Sequence, residues 1–351
     1  MEDLKERLLV TLKYLKLYGE ITAEISKLDR KISNVISMNA VDLKRVPGTD
    51  ERLVREIHLH NRLLELPEWY KFFYGLHPES EYTLRSIYLF YDHINVTFRD
   101  EHGEDTDEDI SIEWIHPRSL VFLSILEDEE WKELLDAAKC YNKELYDNLL
   151  VYREAASMLK DIVNEPEPDI RMRSFDVERV VLNRQFVEDV VARAQKALGK
   201  PPSIVHDEIT IFEDPYMDNT RYVVVDITPG PDSYVIIDVR LSLNKEVVLP
   251  KEVAHVPVFL PSTSLTVDWV DVFYRSIRMR ISYNIDGGLR DSDWTVIRGG
   301  KVNMASLVFV SYTLSEDDWK KIIDKLTYYL WLTEITLKKL KKASVVMGIL
   351  R

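Results

Sequence analysis

The stretch Ser119-Leu-Val-Phe-Leu-Ser124 recurs later in the chain as Ser306-Leu-Val-Phe-Val-Ser311. Each copy is followed by a run of acidic residues and a tryptophan, which is Trp131 in the first copy and Trp319 in the second. With one gap, nine of the eighteen residue pairs across these two regions are identical. Self-similarity of this kind is the sequence signature of a repeated structural unit. The sequence therefore predicts an internal duplication.

Downstream of each tryptophan, apolar residues recur at spacings near three and four, which predicts an amphipathic helix of about 33 residues, or roughly 50 Å. The acidic residues ahead of the tryptophans fit helix starts, because Ser315 and Asp318 occupy the positions of a capping box. We interpret the two Ser-Leu-Val-Phe segments as strands. Each repeat is then predicted to consist of strands, an acidic turn and a long helix, which gives an α+β fold class.

Five segments are predicted along the chain. Helical spacing over 1–36 and 51–66 predicts an N-terminal helical hairpin that resembles a coiled coil, and its apolar stripe is either buried within the chain or used against a partner chain. The stripe includes Leu8, Leu15 and Ile25. The predicted segments are the helical hairpin (1–76), repeat one (82–163), a proline-rich acidic linker (164–171), a helix with antiparallel strands (172–271) and repeat two (272–351).

Composition limits the class of protein. The 351 residues include a single cysteine, Cys140, which excludes a disulfide framework and a multi-cysteine metal site. Apolar content of 46% is enough for a core. No apolar run approaches the length of a membrane span, and the N-terminus lacks a signal-peptide pattern. We expect a soluble cytoplasmic protein, and its low glutamine content is faintly thermophile-like.

Charge is distributed unevenly. The chain carries 60 acidic and 46 basic residues, a formal charge of −14. Residues 100–136 alone contain 14 acidic and 2 basic side chains, whereas basic residues outnumber acidic ones in repeat two. Long-range electrostatic attraction follows such asymmetry, so the two repeats are expected to favour partners of opposite charge.

Repeat two suggests one alternative function. Arginine interleaved with aromatic residues on strands is typical of platforms that bind single-stranded nucleic acid. The competing interpretation is a solvated face, or one that docks an acidic protein, because the chain as a whole would repel a polyanion. The candidate nucleic-acid-binding residues are Arg278, Arg280, Arg290, Trp294, Arg298 and Lys301.

A second alternative depends on Asp226 and on Asp238-Val-Arg240 in predicted neighbouring strands. Their spacing resembles the PD-(D/E)xK nuclease arrangement, which implies two carboxylates that hold Mg²⁺ and a lysine that positions the attacking water. Arg240 stands where that family has the lysine, and arginine cannot lose its proton. An ion pair on a half-solvated sheet face is the simpler interpretation of these residues.

Two further features are interpreted as structural. Residues 105–109 carry carboxylates at alternate positions but lack the glycine and the final glutamate of a calcium loop, so they are predicted to form a solvated hairpin tip. Cys140 is expected to be a buried thiol.

No catalytic constellation and no cofactor motif stands out from the sequence. We expect a non-enzymatic scaffold or adaptor that binds protein partners or copies of itself, with no membrane partner. Trp131 and Trp319 are candidate core or interface anchors in that role. Nucleic-acid binding through the basic repeat remains the alternative, and a nuclease core the more distant one.

Overall fold

The computed structural model describes residues 2–47, 52–76, 78–166, 170–198, 207–212, 238–254, 264–273, 276–285 and 288–350. These residues fall into two compact units. The N-unit takes its described residues from 27–170 and 332–351, and the C-unit takes them from 1–26, 171–228 and 236–331. Both boundaries at 26/27 and 331/332 fall inside long helices, so each unit includes a segment of both helices.

The first half of the chain runs through these elements in order: α1 (Glu2–Met38), β1 (Val41–Asp42), β2 (Leu53–Leu64), α2 (Glu68–Phe73), β3 (Tyr82–Phe90), β4 (His93–Asp100), β5 (Asp105–Ser111), β6 (Trp114–Ile115), α3 (Pro117–Leu123), α4 (Asp128–Tyr141) and α5 (Lys143–Asn164). The second half runs through α6 (Arg184–Ala197), β7 (Glu208–Thr210), β8 (Asp238–Val248), α7 (Lys251–Ala254), β9 (Ser264–Phe273), β10 (Ser276–Ile285), β11 (Gly288–Arg298), β12 (Lys301–Asn303), α8 (Met304–Thr313) and α9 (Glu316–Leu350).

The two halves repeat one topology. Strands β2-β3-β4-β5 form an antiparallel meander in the N-unit, and β8-β9-β10-β11 form the same meander in the C-unit. The short strand before each meander pairs with the short strand after it, β1 with β6 and β7 with β12. The α+β class is confirmed. The duplication therefore extends over both halves of the chain rather than over the two predicted repeats alone.

Each meander has one face on the core. Buried and partly exposed residues alternate through β3 and β4, as expected when successive side chains point to opposite faces. Helix α1 has a stripe of fully buried leucines and isoleucines. Among the described residues, no helix is both long enough and apolar enough to span a bilayer.

The predicted helix at 51–66 is wrong, because this segment forms strand β2. The strand contains a bulge, where its pairing with β3 shifts register between His58 and Arg62. β2 advances four residues there while β3 advances two, and a second shift between Leu53 and Arg55 adds one more residue to β2, so its period-two pattern is interrupted twice. The apolar residues of β2 consequently recur at spacings that resemble a helix, and the second helix of the predicted N-terminal hairpin is absent from the described residues.

The strand prediction for the two Ser-Leu-Val-Phe segments is wrong too, because both segments form helices, α3 and α8. An apolar run buried on every side carries no period that separates strand from helix. Capping residues do carry the signal: the side chain of His116 accepts from the backbone of Ser119, and that of Asn303 accepts from Ala305. The hydroxyls of Ser124 and Ser311 donate to equivalent carbonyls, those of Val121 and Val308.

The long helix predicted for repeat one is broken, whereas that of repeat two is continuous. Asn142 is extended, with φ −157° and ψ 139°, and separates α4 from α5. Helix α9 runs for 35 residues without interruption. A salt bridge of 3.6 Å between Asp128 at the start of α4 and Arg153 in α5 shows that α5 folds back along α4.

Smaller predictions also need correction. Residues 105–109 form the edge strand β5 instead of a hairpin tip. Residues 251–254 form one helical turn after β8. Cys140 is exposed, not buried, so the helix turns its thiol away from the apolar stripe.

Candidate functional site

Each meander begins with an edge strand that is interrupted at one asparagine. Asn61 in β2 has φ 58°, and Asn244 in β8 has φ 44°. Asparagine is among the few residues that adopt this left-handed conformation at low cost. The pairing of each edge strand with its neighbour shifts register at this point. The residue that follows each asparagine, Arg62 or Lys245, is basic and contacts the start of a helix.

In the C-unit this contact is a buried capping site. Asp318 is 6% exposed. Its Oδ2 accepts from the backbone N–H of Ser315 at 2.8 Å, from the Ser315 hydroxyl at 2.6 Å and from Nζ of Lys245 at 2.9 Å. The capping box predicted at Ser315 is therefore confirmed, and the strand supplies its countercharge.

The N-unit has the same arrangement with different residues. Glu130 is 5% exposed, and its carboxylate accepts from the backbone N–H of Glu127 at 2.8 Å and from the guanidinium of Arg62 at 3.1 Å. Arg62 also donates to the Glu127 carboxylate at 2.9 Å and to the carbonyl of Ile125 at 3.2 Å. In both units a basic side chain on the edge strand thus neutralises the first turn of the helix that carries the tryptophan.

The pKa values of the two buried carboxylates, Asp318 and Glu130, are shifted in opposite directions. For Asp318, burial favours the neutral form, but hydrogen bonds from Ser315 and Lys245 outweigh it and hold the pKa below its usual range. For Glu130, burial is the larger effect and raises the pKa despite the hydrogen bond from Glu127 and the charge of Arg62. The cap of the C-unit is therefore the better place for a negative charge.

Sequence inspection missed this pair of sites, although a weak signal exists. Asn61-Arg62 is followed by Leu66-Pro67, and Asn244-Lys245 by Leu249-Pro250, at a constant offset of 183. Both prolines precede a short helix, α2 or α7. The asparagine, a basic residue, and Leu-Pro five residues after the asparagine mark each bulge, but so few identities become meaningful only beside the structure.

A segment of α1 covers the helix start in the C-unit. The ring of Tyr14 stacks on Trp319 with centroids 5.9 Å apart and planes within 9°. Its hydroxyl donates to Glu316 Oε1 at 3.5 Å, and burial, with the negative charge of Glu316, raises the pKa of Tyr14 to about 12. One face of α1 also places the guanidinium of Arg7 4.9 Å from the ring centre of Tyr312. Because Trp319 is fully buried, α1 completes this part of the core.

The equivalent surface of the N-unit borders a groove between α4 and α5. The groove has a volume of about 440 Å³, and Leu126, Trp131 and Leu150 contribute its apolar lining. Trp131 is itself 3% exposed. Met158 of α5 also lines the groove and is 48% exposed. The folded-back helix thus leaves room beside the tryptophan.

The far end of α9 belongs to the N-unit, where Lys339 is 2% exposed. Its Nζ donates to the carbonyls of Ile162 at 2.8 Å and Glu165 at 2.7 Å, and it lies 5.8 Å from the ring centre of Trp69. Carbonyls at a helix C-terminus lack intrahelical donors and carry partial negative charge. Lys339 therefore attaches α9 to the end of α5.

The residues predicted for protein interaction are internal. Leu8, Leu15 and Ile25 are fully buried in the C-unit, and Trp131 and Trp319 are buried in their own units. The apolar stripe of α1 is consequently used within the chain.

The predicted nucleic-acid residues are divided between the two faces of the C-unit sheet. Arg280 forms ion pairs with Asp291 and, at 3.9 Å, with Asp293. It also lies 4.7 Å from the ring centre of Trp269. Arg278 lies 5.2 Å from the ring centre of Phe273. Aspartates on the same face therefore neutralise much of this positive charge.

The strand register divides the remaining candidates: Arg298 lies opposite Ser276 and Lys301 opposite Arg298, on the face of Arg280, whereas Trp294 and Arg290 do not lie on that face. Trp294 belongs to the opposite face, where its indole N–H donates to Ser306 at 3.1 Å and its ring packs on Phe309. Arg290, Arg298 and Lys301 are exposed along β11 and β12. Four of the predicted cations therefore share one face of the sheet, and Trp294 lies on the other.

The nuclease-like residues are only partly described. Asp226 lies outside the described residues, and Asp238 is the first residue of strand β8. Arg240 makes a two-pronged contact with Asp271, at 2.7 and 3.1 Å, and lies 4.7 Å from the ring centre of Trp269. Arg240 thus forms an ion pair, but its partner is Asp271, which the prediction did not include. Within the described part of the chain, no group of three or more histidine, cysteine or acidic residues is placed to hold a metal ion.

Other perturbed groups in the N-unit have structural partners. Burial, with the charge of Arg118, lowers the pKa of His116 to about 4, so its neutral ring caps α3 at ordinary pH. Burial raises the pKa of Glu108, which pairs with Arg118 at 3.0 Å.

Comparison of the chain with models of known protein families, with curated proteins and with solved structures finds no match.

Proposed function

We propose that this protein is a non-enzymatic scaffold that binds helices of protein partners, or of further copies of itself. One observation carries the proposal. Each unit is completed by a helical segment from the other half of the sequence: the C-unit by residues 2–26 of α1, and the N-unit by residues 332–350 of α9.

The contacts of these segments support helix binding as a property of the fold. Tyr14 of α1 stacks on a buried tryptophan and donates to the first turn of α9, and Lys339 donates to the last carbonyls of α5. Aromatic anchors and charged side chains at helix ends are characteristic of helix-in-groove recognition. A surface that accepts a helix distant in sequence is also suited to accept one from another chain, as in domain swapping.

Nucleic-acid binding has less support. Arg240 and Arg280, on the open face of the C-unit sheet, are paired with Asp271 and with Asp291 and Asp293 of the same face. A strand of phosphates would gain little from cations that are already paired.

Size-exclusion chromatography with light scattering tests the proposal on the full chain, at low and high salt, with and without a short single-stranded oligonucleotide. In parallel, fluorescence anisotropy measures binding of a labelled peptide with the sequence of residues 2–23. The scaffold proposal predicts self-association or peptide binding, and no change with the oligonucleotide. A monomer that binds the oligonucleotide in a salt-dependent manner and ignores the peptide would contradict it.

A further inference from the structure

We infer that the groove between α4 and α5 is a docking site for an amphipathic helix of a protein partner, anchored by a tyrosine that enters beside Trp131. This inference rests on the proposed scaffold function and names its site. It depends on the internal duplication, because Trp319 of the C-unit is covered by α1, whereas Trp131 of the N-unit, itself 3% exposed, borders a groove lined by α5.

The wall of the groove that α4 provides has a counterpart in the C-unit. Asp128 and Trp131 are the first and fourth residues of a helix that begins with an acidic cap, and Glu316 and Trp319 hold the same two positions in α9. Their sequence offset is a constant 188, which also relates Leu126 to Leu314. The two surfaces are therefore equivalent in sequence and in local structure.

The C-unit shows what this surface accepts. There, α1 places the ring of Tyr14 on Trp319 and the Tyr14 hydroxyl on Glu316, while Arg7 stacks on Tyr312. Residues 7 and 14 lie two turns apart on one helix face. An amphipathic helix with a basic residue seven positions before a tyrosine is therefore the occupant selected by the copy that is filled.

The groove in the N-unit has the size and chemistry for such an anchor. Its volume of about 440 Å³ lies within the range of ligand pockets. Met158 provides an exposed apolar side chain on the far wall. The carboxylate of Asp128 is 89% exposed and pairs with Arg153 at 3.6 Å. Asp128 is therefore placed to accept the hydroxyl of an incoming tyrosine, as Glu316 does.

The rim favours a protein helix over a polyanion. Arg153 and Lys160 line the groove together with Asp128 and Glu154, so neither sign of charge dominates. Mixed charge around an apolar centre is the usual composition of a protein interface, whereas nucleic-acid sites are strongly positive.

The test uses the full chain and the labelled 2–23 peptide, which carries the arginine and the tyrosine at the required spacing. The tethered α1 keeps its own seat in the C-unit because its effective concentration is high. We expect Met158→Glu and Ser157→Trp, both at exposed positions, to weaken binding at least tenfold. Met172→Glu, which changes an exposed methionine elsewhere, is the matched control and should bind like the unmodified chain. A peptide with Tyr14→Ala should also bind at least tenfold more weakly.

The outcomes separate the two proposals. Peptide binding that is unaffected by Met158→Glu and Ser157→Trp would overturn the proposal that the groove is the docking site, while the scaffold function would still be supported. Failure of the unmodified chain to bind the peptide also overturns the groove, and the scaffold function then depends on self-association in light scattering. Circular dichroism of each variant verifies that the fold is retained.

Discussion

The helices that follow the two capped starts differ in one decisive place. Asn142 ends α4, and its side chain accepts from the backbone N–H groups of Glu144 and Leu145 to begin α5. The equivalent position of the second copy is Leu330, which is buried within the continuous α9. One residue that caps a new helix thus separates a helix that folds back over its own tryptophan from one that runs on into the other unit.

The difference shows what is fixed and what is free in this duplicated fold. Both copies retain the bulged edge strand, the basic residue after it, the buried carboxylate and the tryptophan. They differ in what covers the tryptophan, which is α5 with a residual groove in one case and α1 in the other. The helix packed beside the tryptophan is therefore the part of the unit that differs between the two copies.

The largest effect is expected from removing the tryptophans. Trp319→Ala and Trp131→Ala should each lower the free energy of unfolding by about 3–5 kcal/mol, because both side chains are buried. Denaturant unfolding followed by circular dichroism measures this. Hydrogen exchange should increase in residues 2–18 for Trp319→Ala only, since only Trp319 stacks on α1. Equal hydrogen exchange of residues 2–18 in the two variants would contradict the assignment of α1 to Trp319 alone.

A matched pair of glycines tests how closely α1 is packed. A Cβ on Gly19 would lie 2.3 Å from the ring of Phe212, whereas one on Gly348 in α9 would meet nothing within 4 Å. Gly19→Ala should therefore destabilise the protein by about 1–3 kcal/mol through overpacking. Gly348→Ala should be neutral or stabilise it by up to about 1 kcal/mol through helix propensity. Thermal unfolding distinguishes the two, and a stable Gly19→Ala variant would show that α1 is loosely seated.

The opposite pKa directions of the two caps predict opposite pH responses. The pKa of Asp318 is lowered by folding, so its contribution to stability is present above the ordinary pKa of aspartate and is lost as pH falls through the lowered value. The pKa of Glu130 is raised, so the cost of its charge is present at neutral pH and is relieved as pH falls through the raised value.

Asp318→Asn should accordingly cost about 1–2 kcal/mol at pH 7, and Glu130→Gln should cost less. Urea unfolding at pH 7 and at pH 2.5, below the ordinary aspartate pKa of 3.8, measures both. The loss caused by Asp318→Asn should shrink at the lower pH. If Glu130→Gln proved the more damaging of the two at pH 7, the assignment of the better charge site to the C-unit would be wrong.

The smallest effect concerns the helix break. Asn142→Ala removes the cap of α5 and should cost about 1 kcal/mol. Asn142→Asp retains an oxygen in the same place and should restore most of the loss. Thermal denaturation of both variants measures the difference, and identical stability of the two would show that the cap does not determine the break.

Part of this structure could be predicted from sequence. The Ser-Leu-Val-Phe pair and the two tryptophans predict the duplication, and Ser315 with Asp318 predicts a helix start, because these signals are local. The bulges of β2 make this strand resemble a helix in sequence, since extra residues interrupt the period-two pattern and mimic helical spacing. The packing of α1 against the start of α9 could not be predicted, because Tyr14 and Glu316 are 302 residues apart and no periodicity links them.

The bulges at Asn61 and Asn244 also protect the chain against fibrous aggregation. Strands β2 and β8, of 12 and 11 residues, lie at sheet edges, where an unbroken strand offers a row of free N–H and C=O groups to any other chain. A left-handed residue twists each edge and divides that row into two short segments. A duplicated protein has two such edges of similar geometry, and two copies of the same interruption keep either edge from serving as a template for the other.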